Sequence, residues 1–181
     1  MQIDRVLYPI RSLGPGDRIG IWVIGCPHHC YNCSNPELWE SDIAKETNVD
    51  DLVQILRSQN IVTERVTITG GEPFYQSEEL LALLQALRKY GFTDILVYTG
   101  YTYETVNRLY PEIINLIDVL IDGPYVDSLN DNKGLRGSSN QIIHIINNNL
   151  KSLYDGIEKC QRERQNFITD KDIICVGIPL K

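Results

Sequence analysis

The stretch Gly25-Cys26-Pro27-His28-His29-Cys30-Tyr31-Asn32-Cys33 contains three of the five cysteines of the chain, spaced Cys-x3-Cys-x2-Cys. An apolar run over residues 19–24 precedes it and is typical of a buried strand. Asn-Pro at positions 35–36 follows it as a turn signal. Thiolates are the soft ligands that zinc and iron–sulfur clusters select. Three of them on one short loop at the end of a strand therefore indicate a metal centre.

The number of thiols bears on the kind of metal centre. A structural zinc site has four protein ligands, so zinc would need His28 or His29 beside the three cysteines. A four-iron cluster held by Cys26, Cys30 and Cys33 leaves one iron free for another molecule. The spacing favours the cluster, because Cys3His zinc sites usually draw on two separated pairs. A disulfide framework does not suit an odd number of crowded cysteines.

The composition is that of one soluble globular domain spanning residues 1–181, with 43% hydrophobic residues. The formal net charge of −7 and the absence of a basic run speak against nucleic-acid binding. No apolar stretch approaches the roughly 20 residues that cross a bilayer, and the first residues carry no signal-peptide pattern. Five cysteines, three of them on one loop, suit the reducing cytoplasm.

Apolar periodicity divides the chain into alternating strands and helices. Ser77 is expected to cap the second helix, whose first turn contains two glutamates. The predicted strands cover residues 3–10, 18–24, 65–69, 94–98, 116–121, 141–146 and 173–176. The predicted helices cover residues 49–58, 77–90 and 102–109, with a weakly helical, charged segment at 150–165.

This alternation predicts an α/β fold with a parallel sheet. Each βα unit takes about 30 residues, so the chain has room for five to six units. A closed (β/α) barrel has eight units and about 250 residues. We therefore expect an open, partial (β/α) barrel.

Special residues follow several of the predicted strands, at the edge where sites of such folds lie. Gly70-Gly71-Glu72-Pro73 follows the 65–69 strand, Tyr98 and Thr99 end the next one, and Asp122 ends the strand after that. Taken singly, the glycines fit a tight turn and Asp122 fits a turn former. Four strand ends with such residues are hard to explain by packing alone, so a shared pocket is predicted there.

The motifs together resemble the radical S-adenosylmethionine (SAM) superfamily, through Cys-x3-Cys-x2-Cys followed by Gly-Gly-Glu-Pro. Further segments narrow the resemblance to the activating proteins of anaerobic ribonucleoside-triphosphate reductases, over about residues 6–141. These are Leu13-Gly14-Pro15-Gly16, Ile21-Trp22, Asn35-Pro36-Glu37-Leu38-Trp39, Asp122-Gly123-Pro124-Tyr125 and Arg136-Gly137-Ser138-Ser139-Asn140-Gln141.

The resemblance implies an enzyme whose cofactors are a [4Fe-4S] cluster on the three cysteines and SAM on the open iron. Reductive cleavage of SAM would then place a glycyl radical on an anaerobic (class III) ribonucleotide reductase. An electron donor such as flavodoxin or ferredoxin is implied as a second partner. The implied SAM-binding residues are Gly70, Gly71, Glu72, Pro73, Tyr98, Thr99, Asp122, Ser138 and Asn140.

Several alternatives stay open from the sequence. A radical SAM enzyme acting on another glycyl radical enzyme, a peptide or a small molecule would carry the same motifs. A protein without catalytic activity that binds zinc or an iron–sulfur cluster is the other alternative. Cys160 and Cys175 are expected to be ordinary thiols outside the centre. No lid is evident, so a partner is expected to close the pocket near the polar loop at 126–138.

Overall fold

The computed structural model describes residues 1–58, 61–168 and 172–181. Its main element is a six-stranded sheet in sequence order, built from β1 to β6. These strands are β1 (Ile3–Ile10), β2 (Arg18–Val23), β3 (Arg65–Gly70), β4 (Asp94–Tyr98), β5 (Val119–Asp122) and β6 (Ile142–Ile145). Strands β2 to β5 are parallel neighbours, whereas β1 and β6 pair antiparallel at the two edges.

The α/β class is confirmed and the sheet is mostly parallel. The expectation of five to six βα units is wrong, because β1 and β6 are antiparallel edges. In the described residues there are three parallel strand pairs, from β2 to β5. Strand β5 begins at Val119 rather than at residue 116, because Leu116 and Ile117 donate backbone hydrogen bonds to the preceding helical turn.

Four helices connect the parallel strands: α1 (Val49–Ser58), α2 (Ser77–Lys89), α3 (Tyr103–Leu109) and α4 (Pro111–Ile114). Helix α1 has the predicted bounds. Ser77 lies in the first turn of α2 and Gln76 is the cap residue, because a short 3-10 helix (Pro73–Gln76) leads directly into α2. Thr102 caps α3 by accepting a hydrogen bond from the backbone N–H of Thr105.

The C-terminal part departs most from the prediction. Residues 150–165 form turns after a 3-10 helix (Asn148–Leu150), instead of a weak helix. Tyr154 explains the difference, because its side chain is buried against the sheet and fixes the turns around it. A hairpin of β7 (Gln165–Ile168) and β8 (Ile173–Val176) follows. Strand β8 was predicted and β7 was not.

Both faces of the sheet are covered, as a parallel sheet requires. The helices pack on one face, where alternate strand residues such as Ile21, Ile68 and Leu120 are fully buried. Residues of the opposite face, including Trp22, Leu96 and Ile121, pack against the C-terminal part of the chain. No helix in the described ranges has the length and apolar character needed to cross a bilayer.

A buried ion pair closes the amino-terminal end of this second face. Arg18 binds Asp94 with two hydrogen bonds of 2.7 and 3.0 Å, and Nε of Arg18 donates to the hydroxyl of Thr67 at 2.8 Å. The hydroxyl of Tyr154 donates to Asp94 at 2.7 Å, and burial raises the pKa of this phenol. Arg18 and Asp94 are the first residues of β2 and β4, so their ion pair fills the space at the amino-terminal ends of these strands.

Candidate active site

A cavity of about 370 Å³ lies at the carboxyl ends of the parallel strands. The loops that follow β2, β3, β4 and β5 all contribute to its wall, as sites in this class of fold do. The predicted residues that line it are Cys26, Cys30, Cys33, Gly70, Gly71, Glu72, Tyr98 and Thr99. The cysteine loop, the Gly70–Glu72 turn and the end of β4 thus border one cavity, while their binding of cofactors stays a prediction.

The cysteine loop is held by backbone hydrogen bonds at its beginning. The N–H groups of Gly25 and Cys26 donate to the carbonyls of Leu38 and Trp39 at 2.8 and 2.9 Å. His29 and Asn32 adopt positive φ angles of 46° and 55°, a left-handed conformation that asparagine tolerates better than most residues. These two reversals turn the loop back on itself, so that the three thiols line the same cavity.

The donor set fits an iron–sulfur cluster. All three thiols are free and half-buried, and the backbone N–H of Asn35 lies 3.4 Å from Sγ of Cys33 as a hydrogen-bond donor. Burial raises the pKa of Cys26 and of Cys30, so a metal that binds them must displace their protons. Among the described ranges, no three His, Cys, Asp or Glu side chains are grouped closely enough to hold a single ion.

Glu72 joins three loops of the site. Its buried carboxylate accepts hydrogen bonds from Phe74 N (3.0 Å), from the Thr99 hydroxyl (2.9 Å) and from Gly100 N (2.7 Å). Nε2 of His28 lies 3.1 Å from the same carboxylate. These four contacts occupy the roughly four acceptor positions of a carboxylate. Glu72 therefore positions the cysteine loop against the ends of β3 and β4, and its predicted pairing with SAM stays a prediction.

The two glycines before Glu72 allow a close approach between loops. A Cβ at Gly71 would collide with the carbonyl oxygen of Gly25, and Gly70 has a φ of 107°. The N–H of Gly71 donates to Val23 O, and that of Glu72 donates to Gly25 O, both at 2.8 Å. Only residues without a side chain fit there, so the Gly-Gly pair fixes the distance between the cysteine loop and the end of β3.

Tyr98 and Thr99 place the end of β4 in the cavity wall. The Tyr98 hydroxyl donates to Leu135 O at 2.9 Å, and burial raises its pKa, which keeps it protonated as a donor. The side chain of Thr99 is engaged with Glu72 and with the N–H of Tyr101. Both residues line the cavity, and their predicted binding of SAM stays a prediction.

The structure does not bring the other four predicted residues to the cavity wall: Pro73, Asp122, Ser138 and Asn140. The expectation that Asp122 faces the pocket is wrong. Its carboxylate accepts from Tyr103 N at 2.6 Å and from Ile142 N at 3.1 Å, and lies 3.2 Å from His144. Asp122 thus points to the helix layer and connects α3, β5 and β6.

The remaining three have structural partners. Pro73 is buried at the start of its 3-10 helix. The Ser138 hydroxyl accepts from Val126 N at 3.0 Å, and the Asn140 amide donates to Pro124 O at 2.8 Å. Ser138 and Asn140 support the loop at 126–138 and its flanks from behind the wall. This part of the chain contributes Gly123, Tyr125, Asn130, Gly137 and Gln141 to the wall itself.

Sequence reasoning missed several residues of the site. Gln141 belongs to the recognised Gly-Ser-Ser-Asn-Gln segment but was not predicted as a site residue. Its side-chain amide accepts a hydrogen bond from Gly137 N (2.7 Å) and donates one to Gly123 O (2.7 Å), which holds the loop in place. The ring of His28 packs on Gly100, where a Cβ would collide with it. The chain at 175–179 completes the wall, and no motif marked it.

Comparison with known proteins agrees with this site. The family described as a 4Fe-4S single cluster domain matches residues 12–144. An anaerobic ribonucleoside-triphosphate reductase-activating protein from Salmonella typhi is 34% identical over 146 residues, covering 76% of this chain and 94% of that protein. The protein of the same name from Enterobacteria phage T4 is 36% identical over 148 residues, covering 78% and 92%.

A more distant relative is the pyruvate formate-lyase-activating enzyme of Clostridium pasteurianum, which is 32% identical over 119 residues and covers 63% of this chain and 48% of that enzyme. The family match includes the cysteine loop, the Gly-Gly-Glu-Pro turn and Asp122. The chain therefore belongs to the 4Fe-4S single cluster domain family, and within it to the anaerobic ribonucleoside-triphosphate reductase-activating proteins.

Proposed function

We propose that this protein is a radical SAM enzyme that activates an anaerobic ribonucleotide reductase by forming a glycyl radical on it. The observation that carries the proposal is the meeting of the cysteine loop and the Gly70–Glu72 turn at one cavity. The relatives from Salmonella typhi and phage T4, each matched over more than nine-tenths of its length, bear the name of that activator. When bound, a reduced [4Fe-4S] cluster supplies the electron for reductive cleavage of SAM.

The residues of the chain have separate tasks in this proposal. Cys26, Cys30 and Cys33 hold the cluster and leave one corner to SAM. SAM would lie along the Gly70–Glu72 turn, which borders the cavity beside the cysteine loop. Tyr98 and Thr99 border the same space. Asp122, Ser138 and Asn140 support the loops from behind.

The open sheet suits this task. We propose that it forms the wall of a partial (β/α) barrel whose mouth is the cavity, since β1 and β6 pair with their inner neighbours and not with each other. A reductase loop enters at this mouth. Reducing equivalents come from a donor such as flavodoxin or ferredoxin. All five cysteines are free, which supports a cytoplasmic location.

Anaerobic reconstitution with a candidate reductase tests the proposal. The protein should take up about four irons per chain, and with SAM and dithionite it should produce the electron paramagnetic resonance signal of a glycyl radical on the reductase. Cys26→Ala should lose the iron and the signal. Cys160→Ala is the matched control, because this thiol is exposed and outside the cavity wall, and it should keep both.

Two other outcomes would redirect the assignment. Stoichiometric zinc with intact activity would overturn the cluster. Iron uptake and SAM cleavage without a radical on the reductase, but with one on pyruvate formate-lyase, would favour the second candidate function. That alternative rests on the 32% identity to a pyruvate formate-lyase-activating enzyme.

A further inference from the structure

A strap of chain crosses the cavity on the side that the sheet leaves open. We define the strap as residues 173–181, which comprise β8 and the residues after it. It contributes Cys175, Val176, Gly177, Ile178 and Pro179 to the cavity wall. The strap lies outside residues 12–144, the part matched by the family. It therefore adds a cover to a site that the matched region already contains.

The first part of the strap is attached to the β1 side of the sheet. Strand β8 pairs with β7. The side-chain amide of Gln165 in β7 accepts a hydrogen bond from Ser12 N at 3.0 Å and donates one to Pro9 O at 3.1 Å. The Ser12 hydroxyl donates to Val176 O at 3.3 Å. This end is thus anchored by a hairpin and by the turn between β1 and β2.

The far end of the strap is held on the other side of the cavity by two cations. Nη1 of Arg162 donates to Pro179 O at 2.6 Å and to Asn130 Oδ1 at 2.8 Å, while Nη2 donates to Arg136 O at 2.6 Å. Lys181 donates through Nζ to Asp127, at 2.9 Å to its carbonyl and 3.0 Å to its carboxylate. The strap is therefore fastened to the 126–138 loop.

The guanidinium of Arg162 makes many hydrogen bonds at once. With contacts to Gly137 O and Lys133 O, its guanidinium has five neutral acceptors, four backbone carbonyls and one side-chain amide. The planar fork of arginine suits such multiple contacts. Desolvation lowers the pKa of Arg162, which reflects the cost of burying its charge. Beyond Gly177, Ile178 packs against the apolar cluster around Trp22, so opening the strap also has to expose this side chain.

Gly177 separates the anchored part from the fastened part. Its φ is 127°, and a Cβ there would collide with the carbonyl oxygen of Glu163. Glycine is the residue that adopts this conformation without strain. The chain can therefore bend here while β8 stays paired.

We propose that the strap is a lid held shut by Arg162, which closes the cavity in the free protein and is displaced when the substrate polypeptide docks. The identity of that polypeptide rests on the proposed function, whereas the lid does not. A radical site needs exclusion of water and of side reactions until its substrate arrives. A closed strap provides this in a sheet that cannot close around its own cavity.

The first test compares Arg162→Gln with Lys159→Gln in the anaerobically reconstituted full-length protein. Lys159 carries the same charge nearby, but its side chain is 83% exposed. Amide hydrogen exchange of residues 177–181, the part of the strap beyond β8, reports opening directly. Arg162→Gln removes the charge-assisted bond to Pro179 O and the bonds that hold the same guanidinium on the 126–138 loop, so exchange should accelerate about tenfold. Lys159→Gln should match the wild type.

Gly177→Ala is a second way to open the lid, because the added methyl group pushes the strap away from Glu163. With dithionite supplying the electron and no partner present, both opened variants should also form 5′-deoxyadenosine and methionine from SAM several-fold faster, since SAM and solvent exchange more freely. Unchanged exchange at residues 177–181 in both variants would refute the lid. Faster exchange with unchanged 5′-deoxyadenosine formation would refute its control of the site.

These readouts need no partner, so they separate the lid from the proposed function. If no glycyl radical forms on any reductase, the function fails while exchange and partner-free cleavage still decide the lid. If the radical forms, adding the reductase to the wild type should accelerate exchange in the strap. Slower exchange there would mean that the partner clamps the strap, and would refute displacement.

Discussion

Replacing Glu72 with glutamine should loosen the junction between the cysteine loop and the sheet. The carboxylate has Phe74 N on one oxygen and Gly100 N on the other. Glutamine has a single acceptor oxygen, so one of these backbone N–H groups loses its partner whichever way the amide turns. The Thr99 hydroxyl and His28 can rotate or change tautomer to adapt.

The size of the effect follows from these contacts. An unsatisfied buried N–H costs about 1–3 kcal/mol, and hydrogen bonds to a charged acceptor lose about 1 kcal/mol each when it becomes neutral. Because an amide is cheaper to bury than a carboxylate, we expect a net loss of about 2–4 kcal/mol in unfolding free energy. For a domain of this size the melting temperature should fall by roughly 5–15 °C.

Urea unfolding followed by far-ultraviolet circular dichroism, under anaerobic conditions, measures this loss. Glu40→Gln is the matched control, since Glu40 is exposed and should change stability by no more than about 0.5 kcal/mol. A Glu72→Gln variant as stable as this control would refute the role of the carboxylate as a junction. The stability of the two variants should be compared in the same cofactor state.

The same variant separates positioning from ligand binding. Thr99→Val weakens the same junction at Glu72 but keeps the carboxylate charge. If Glu72 only positions the loops, the affinity for SAM should fall in proportion to the stability lost in both variants. A much larger loss of affinity in Glu72→Gln than in Thr99→Val would instead show that the carboxylate meets the SAM ammonium group.

Two further substitutions address residues away from the cavity. Tyr154→Phe should lower the free energy of unfolding by about 1–3 kcal/mol, because it removes a buried donor to Asp94. Tyr31→Phe changes a side chain that is 79% exposed and should leave the free energy of unfolding unchanged in the same assay. Asp122→Asn should lower stability by about 1–3 kcal/mol and leave SAM affinity and iron content unchanged. If Asp122→Asn instead lost SAM affinity at wild-type stability, Asp122 would have to contact SAM.

Local sequence signals placed most elements correctly. The apolar spacing of α1 and the continuous apolar runs of β2 and β4 predicted these elements within a residue. Such signals work because a helix or strand must bury a face of fixed period. The same signals failed for residues 150–165, where one buried tyrosine outweighed the weak helical preference of the segment.

The orientation of Asp122 shows a limit of strand-based reasoning. It shares a face of β5 with Leu120, which packs among the helices, while Ile121 lies on the face opposite. Both faces of the inner strands are apolar, so the alternation within the sequence does not reveal which face leads to the cavity. The ending of the strand was predictable, and the direction of its last side chain was not.

The amino-acid sequence alone indicated an iron–sulfur centre, because the three cysteines and the Gly-Gly-Glu-Pro turn are short segments whose spacing is visible in the chain. Tertiary structure alone decided that Glu72 is saturated by Thr99, Gly100 and His28, and that the strap covers the cavity. Those contacts join residues separated by 27 positions between Glu72 and Thr99 and by 32 between Arg162 and Asn130. Such pairs leave no periodic trace in one sequence, since they form only when the folded sheet brings the loops together.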